Sequence, residues 1–282
     1  MTQNLTPCQK EIITYMLEDQ DYDQIRLFLV KHLKGQVDPI LPVIDLARSI
    51  LIVDMDQVET LALQTNLNFL IKPTQIQRKV YFYTHHLNLQ IKKREYADYF
   101  RGLTPVLVDI LRLLVEHDFM PNLNEFMIPV IKNTPDDKPL YRGLQWFEKK
   151  IEGQNNMIKS TFKKYYGDRF NYDHYVSSSH LIKLIDDHSK NEDIKHKTNQ
   201  MRLIEKYLRN LIAHEVVCVD EAWVQQRVNM TPLQVHELYM DLVHLAGLTN
   251  PRQWDVFEEI EQRVRHHLKL NNKEIYHEKT NH

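Results

Sequence analysis

The chain has 282 residues, 43% of them hydrophobic and only 6 of them glycine, which is length for one large domain or two ordinary ones, with too little glycine for a turn-rich β protein. A formal charge of −2 removes any global attraction to polyanions, so a nucleic-acid site has to be a local concentration of charge. Cys8 and Cys218, far apart, exclude a disulfide framework and a cysteine-based zinc site and fit a reducing cytoplasm. The first seven residues have neither the basic start nor the apolar run of a secretory signal. The most apolar stretch, residues 40–58, is interrupted by Asp45, Arg48, Asp54 and Asp56, and reads as a buried helix rather than a membrane span.

Periodicity predicts helical hairpins over the first third. Residues 7–18 carry Ile12, Ile13, Tyr15 and Met16 at helical spacing, 19–21 break the pattern, and 22–34 resume it with Ile25, Phe28 and Leu29. Gly35 is a natural stop, Pro39 and Pro42 sit where a new helix can begin, residues 40–54 and 55–69 continue, and Pro73 closes the unit. Two long periodic stretches follow, 74–93 and 94–118, the second with a broad apolar face that includes Tyr99, Phe100, Leu103, Leu107 and Ile110. Residues 119–138, with Pro121, Pro129 and Pro135, read as an irregular insertion with at most one short element. Helical pattern returns over 140–151, 155–166, 172–187 and 193–215. Thr231-Pro232 opens a helix ending at Gly247, Pro251 opens a last one, and the polar residues 271–282 read as a disordered tail. The expected fold class is all-α, with no Gly-rich phosphate loop, strand–helix alternation or fixed-period repeat.

The chemistry concentrates in Leu208-Arg209-Asn210-Leu211-Ile212-Ala213-His214-Glu215. Arginine is a permanent, forked phosphate binder and histidine gives or takes a proton near neutral pH, so one apolar helix carries what metal-free phosphodiester cleavage requires. The bare pattern, an arginine followed by a histidine with four to six residues between, is weak, because Arg26 with His32, Arg78 with His85, Arg112 with His117 and Arg169 with His174 match it as well. Arg209 and His214 differ in the Asn directly after the arginine, the Ala before the histidine and the helix bearing both. Five residues on a straight helix rotate by about 500°, which leaves the two side chains roughly 140° apart. Two remedies exist, a helix that kinks or ends near His214, an end being favoured by the β-branched run after it, and a site shared between two subunits; both are expected to operate.

The run Arg209 to His214 resembles the signature of the HEPN superfamily, many of whose members are metal-independent ribonucleases. Glu95-Tyr96-Ala97-Asp98-Tyr99-Phe100-Arg101-Gly102-Leu103-Thr104-Pro105 is similar to the opening helix of the HEPN domain in the accessory ribonuclease of type III-A CRISPR systems, and the preceding hairpins are similar to that family's middle six-helix domain. The resemblance implies a helical-hairpin domain over 1–73, with an alternative boundary at 93, and a HEPN nuclease domain over 74–270. It further implies a homodimer in which two signatures meet, Arg209, Asn210 and His214 as catalytic residues, single-stranded RNA as substrate, a role in antiviral defence, and no cofactor or metal. The family's N-terminal CARF sensor, a strand–helix fold, has no counterpart in the sequence, so its cyclic oligoadenylate activator is not expected to bind this chain.

Other features have blander alternatives. Lys159, Lys163, Lys164 and Tyr165 interleave cations and rings as RNA-binding surfaces do, yet an amphipathic helix whose lysines snorkel around buried rings has the same pattern. His85-His86 and His266-His267 point about 100° apart on a helix and read as solvated surface. Residues 230–248 could form part of a helix-turn-helix, but Glu237 and Asp241 deny it a basic recognition face. The rival for the whole chain is a non-catalytic dimeric helical module in which Arg209 and His214 are structural.

Overall fold

A computed structural model describes residues 5–33, 39–209, 211–212 and 215–270, Arg209 as backbone only. The helix stop expected at Gly35 and the disordered tail expected over 271–282 lie outside these residues. In chain order the elements are α1 (Pro7–Glu18), α2 (Tyr22–His32), α3 (Leu41–Leu51), α4 (Met55–Gln64), a 3₁₀ turn (Asn68–Ile71), α5 (Gln75–Lys92) and α6 (Tyr96–Asp118). Then come a second 3₁₀ turn (Leu123–Phe126), β1 (Met127–Asn133), β2 (Pro139–Trp146), α7 (Glu148–Glu152), α8 (Met157–Tyr166), a third 3₁₀ turn (Gly167–Arg169), α9 (Ser178–His188) and α10 (Glu192–Ile204). A π-helical turn (Glu205–Arg209), α11 (Glu221–Val228), α12 (Pro232–Leu245), α13 (Pro251–Trp254) and α14 (Val256–Leu268) complete the order. The fold is all-α apart from one small two-stranded sheet.

The described residues form two compact units, one of residues up to 89 with those from 250 onward, the other of residues 90–249. The first unit starts where Thr6 caps α1 in a reciprocal pair with Gln9, and Pro7 presets the first turn. Its core holds Ile13, Leu17, Ile25, Leu29, Ile44 and Ile50, all essentially inaccessible. The charges that interrupt the apolar α3 are paired: Asp45 accepts from Arg26 at 2.7 Å and from Arg48 at 3.0 Å. Residues 250–270, which the sequence-based division leaves with the later part of the chain, belong spatially to this unit. Phe257 packs against Tyr22, Trp254 against Tyr81 with the rings tilted, and the buried Gln253 donates to the carbonyl of Phe69. His85 corrects the solvated reading of the first histidine pair: it is 6% exposed and donates through Nε2 to the carbonyl of Gln253 at 2.9 Å. His266 and His267 are exposed as expected.

The second unit is organised on α6, whose predicted apolar face is buried throughout. Helices α9 and α10 and the π-turn pack against it or each other. Here the structure corrects two expectations. Residues 127–146 are a β-hairpin, paired Met127 with Trp146 through Asn133 with Pro139, with a bulge between Val130 and Ile131. In the sequence, prolines 129 and 135 mark this region as irregular, and the periodicity predicts helix over 140–146. In a two-stranded ribbon both strands are edges, so Pro129 can stand in β1, opposite Leu144, without breaking an interior ladder. The helix expected from residue 172 starts only at Ser178, capped by Ser177, because the backbone before it is bonded to β2 through Val176 N–H to the carbonyl of Leu144.

Gly143 holds the hairpin at φ +140°, and a Cβ there would stand 3.2 Å from the Tyr175 ring. Gly143→Ala is therefore expected to lower stability by about 1–3 kcal/mol. Urea denaturation followed by circular dichroism measures it; an unchanged midpoint means that the strand relaxes to ordinary backbone angles at no cost.

Candidate functional site

Helix α10 begins where Asn191 accepts from the amides of Asp193 and Ile194, at 3.0 and 3.3 Å. It runs to Ile204, widens into the π-turn Glu205–Arg209, and is helical again at Leu211-Ile212. The widened turn has a cause in the apolar spacing. Ile204, Leu208 and Ile212, at successive intervals of four, are all buried to 2% or less. On a regular α-helix eight residues rotate by about 800°, turning Ile212 roughly 80° away from Ile204; one extra residue absorbed in a wider turn brings the two back within about 20°. The core thus keeps one continuous apolar line. Glu205 pins the start of the turn, accepting from Ser178 Oγ at 2.9 Å and pairing with Arg202 at 2.5 Å. The Glu215 amide still bonds to the carbonyl of Leu211 at 3.0 Å, and residues 216–220 take no regular structure. The helix ends where the β-branched run led one to expect.

The backbone of Arg209 closes the π-turn, an irregularity common at functional sites. Its side chain, Asn210, Ala213 and His214 lie outside the described residues. What surrounds them is described. Across from the buried line stands α6, with Phe100, Leu103, Thr104 and Leu107 facing Met201 and Ile204. From the same helix Arg101 donates through Nε to the carbonyl of Ile212 at 3.4 Å and through Nη1 to Asp98 at 2.9 Å. On the other side of the signature helix, Leu203 and Tyr207 are 54% and 51% exposed, an apolar stripe open to solvent. Beyond the helix end, Tyr96 donates to Glu221 at 2.8 Å, and Arg94, Tyr96 and residues 219–222 line a shallow groove.

Three of the four competing Arg–His pairs have structural partners. Arg26 is held by Asp45, and His32 packs at a tilt against Phe28. Arg78 faces Glu59 while His85 is buried on Gln253. Arg112 bridges Asp109 and Asn124, and the His117 ring lies beneath Gly247. The basic–aromatic helix α8 buries Ile158, Thr161 and Phe162 and turns its lysines outward. Lys159 pairs with Glu152 at 3.0 Å, Lys164 with Asp187 and over the Tyr165 ring, and Tyr165 donates to Asp187 at 3.1 Å. Lys163 is exposed. That helix packs on α9, whereas the signature helix packs on α6. Among the described residues, no group of three or more His, Cys, Asp or Glu side chains is placed to hold a metal ion, and no helix is long and apolar enough to cross a membrane.

Arg101 and Glu205 were not singled out by spacing. A signal for the first exists in Pro105, four residues on: proline has no N–H for the carbonyl of Arg101, so the ladder of α6 is interrupted at that residue. The signal for the second is the run of intervals of four that demands a wide turn.

No curated protein matches the sequence. Among solved structures, Enterococcus italicus Csm6 bound to cyclic hexa-2'-fluoro-hexa-dAMP is similar in fold, with a TM-score of 0.62 at 10% identity over 92% of this chain. The chain spans 56% of the length of that one. The family described as the Cas_Csm6 HEPN domain matches residues 69–265, a span holding both the long helix α6 and the Arg209–His214 signature. With more than half of its length matched, the chain belongs to the Csm6 HEPN domain family of CRISPR-associated proteins.

Proposed function

We propose that this protein is a metal-independent endoribonuclease of CRISPR type III defence, acting on single-stranded RNA through a site that two copies of the chain share. The observation that supports this reading is the signature itself: Arg209 closes the π-turn, and Asn210 and His214 come after it in the sequence, inside the matched family segment. In the proposed reaction the ribose 2′-oxygen attacks the adjacent phosphorus, forming the O2′–P bond as the P–O5′ bond breaks. One imidazole accepts the 2′-hydroxyl proton and a second delivers a proton to the departing 5′-oxygen, each role typically contributing about 10²–10⁴-fold. The Arg209 guanidinium offsets the charge growing on the phosphorane oxygens. Asn210 holds the imidazole or a phosphate oxygen through its amide. A single chain supplies one histidine of this signature, and the exposed Leu203 and Tyr207 beside it are apolar surface that a second copy can cover.

The test is a labelled single-stranded RNA incubated with chelator-treated protein. Cleavage is expected to persist in chelator, to leave a cyclic phosphate and a 5′-hydroxyl, and to spare an all-DNA strand, which lacks the nucleophile. Activity that disappears with the chelator removes the metal-free scheme. A folded dimer that never cuts RNA is the non-catalytic helical module instead.

A further inference from the structure

We propose that Arg227, lying over the Trp223 ring, is a platform for one base of a single-stranded RNA, and that Lys206 on the neighbouring turn holds a phosphate of the same strand. The inference takes its ligand from the ribonuclease reading above and adds two residues outside the signature. Its basis is a pair of cations that face rings instead of carboxylates. The Arg227 guanidinium carbon stands 3.8 Å from the Trp223 ring centroid, and Nη1 donates to the Trp223 carbonyl at 3.3 Å. Lys206 Nζ stands 5.4 Å from the Tyr207 ring centroid. Both cations are exposed, and among the described residues neither forms an ion pair. The arginines on the elements beside them are spent otherwise, Arg202 on Glu205 at 2.5 Å and Arg101 on Asp98 at 2.9 Å. Helix α11 packs against the π-turn, so the two pairs stand on elements in contact. The fully buried Val224 anchors α11, and Asp220 accepts from the Trp223 amide at 2.7 Å, which fixes the residue that carries the indole.

A guanidinium is planar, and one face in contact with an indole leaves the other for solvent or for a second ring. Unstacked bases of single-stranded RNA bind on such planes, and every base has a face to offer, so the platform tolerates any sequence. The permanent charge draws the phosphates at the same time. The acids of α11 are at its far end: Asp220 is held by the Trp223 amide and Glu221 by the Tyr96 hydroxyl, about 9 Å along the axis from Arg227. The plain alternative is that Arg227, in the last turn of α11, only stabilises the end of its own helix. That role predicts a lower melting temperature on its removal and no effect on RNA.

The experiment titrates a labelled 2′-O-methyl oligonucleotide, which lacks the nucleophile and stays intact, with wild type, Arg227→Ala, Arg227→Lys and Lys206→Ala. Fluorescence anisotropy is read at several salt concentrations, with melting temperatures alongside. Arg227→Ala is expected to weaken binding about ten- to a hundredfold, the worth of one stacked base. It should also flatten the slope of log affinity against log salt by about 0.7, the share of one cation on a single strand. Arg227→Lys is expected to keep the slope and still lose at least half as much affinity on a logarithmic scale, because a point charge does not stack. Lys206→Ala should flatten the slope by about 0.7 with a smaller loss. Wild-type affinity in Arg227→Lys overturns the base platform, and an unchanged slope in Lys206→Ala overturns the phosphate contact. Wild-type binding in Arg227→Ala, or a loss that only follows a fall in melting temperature, overturns the inference. If the protein cuts unmodified RNA and Arg227→Ala binds as wild type does, only this inference falls. If wild type neither cuts nor binds a single strand, both readings fall; if it binds through Arg227 and never cuts, the ribonuclease reading alone falls.

Discussion

His214→Ala is expected to reduce RNA cleavage by about two to four orders of magnitude while the protein stays folded and dimeric, because a proton-transfer group is removed and nothing replaces it. Arg209→Ala is expected to act through a different term, the charge on the phosphorane, at a cost of about 10²–10³-fold. Arg209→Lys should restore little, since a point charge does not reproduce the planar fork. The shared site makes a sharper forecast than either variant alone. If each cleavage needs one imidazole from each chain, a dimer with one His214→Ala protomer is as inactive as one with two. Titrating the variant into wild-type protein then lowers the rate per wild-type chain, where independent sites would leave it constant. A constant rate per chain, with His214→Ala itself inactive, would keep the histidine and discard the sharing; undiminished activity in the variant would discard both.

The helices of this molecule were legible because their causes are local. The apolar face of α6 repeats at the helical interval, and Thr231-Pro232 begins α12 through a cap and a preset first turn. Gly247, at φ +85°, ends that segment in a conformation costly for other residues. Local rules failed where partners from elsewhere decide. Pro129 reads as a breaker until its strand is seen to belong to a two-stranded ribbon, and Leu140 to Trp146 reads as helix until β1 pairs with it. The burial of His85 depends on Gln253, 168 positions away, and the contact of Arg101 with Ile212 depends on how α6 crosses the signature helix. The site divides in the same manner. Residue types and their order suggest the chemistry proposed for Arg209 to His214, because a proton donor, a fork and an amide in one short run are unusual company. The widened turn that precedes them was implicit in the intervals of four between Ile204, Leu208 and Ile212, but only packing shows that all three point inward.

Acid is expected to destabilise both units, in a pH range set by the buried His85 and His180 and the half-buried His236. Burial pushes His85, His180 and His236 down to about 4 from the ordinary 6.5. Lys183 and His174 add to the depression at His180, whose Nδ1 accepts from the Trp146 indole at 3.1 Å. Below about pH 6.5 the unfolded chain takes up protons that the folded chain refuses. Stability is thus fully present above that value and is lost as pH falls toward 4, by on the order of 2–3 kcal/mol for each fully buried imidazole. Glu116 opposes this trend: burial pushes it up, against the pull of Arg112, so it takes a proton more readily when folded. One carboxyl does not balance three imidazoles. Asp187 acts in a lower range; burial raises it, but bonds from Lys164, Thr161 and Tyr165 hold it below the usual carboxylate value, and its contribution is lost only under stronger acid. Urea midpoints at about pH 7.5 and pH 4.5 measure the effect. Trp254, 5.7 Å from His85, reports on the first unit and Trp146 on the second. His180→Asn keeps an acceptor for the indole and removes the titration, so it should flatten the slope read at Trp146 and leave that read at Trp254 unchanged. Midpoints that do not move between the two pH values would mean that these imidazoles take up protons in place, with water reaching them.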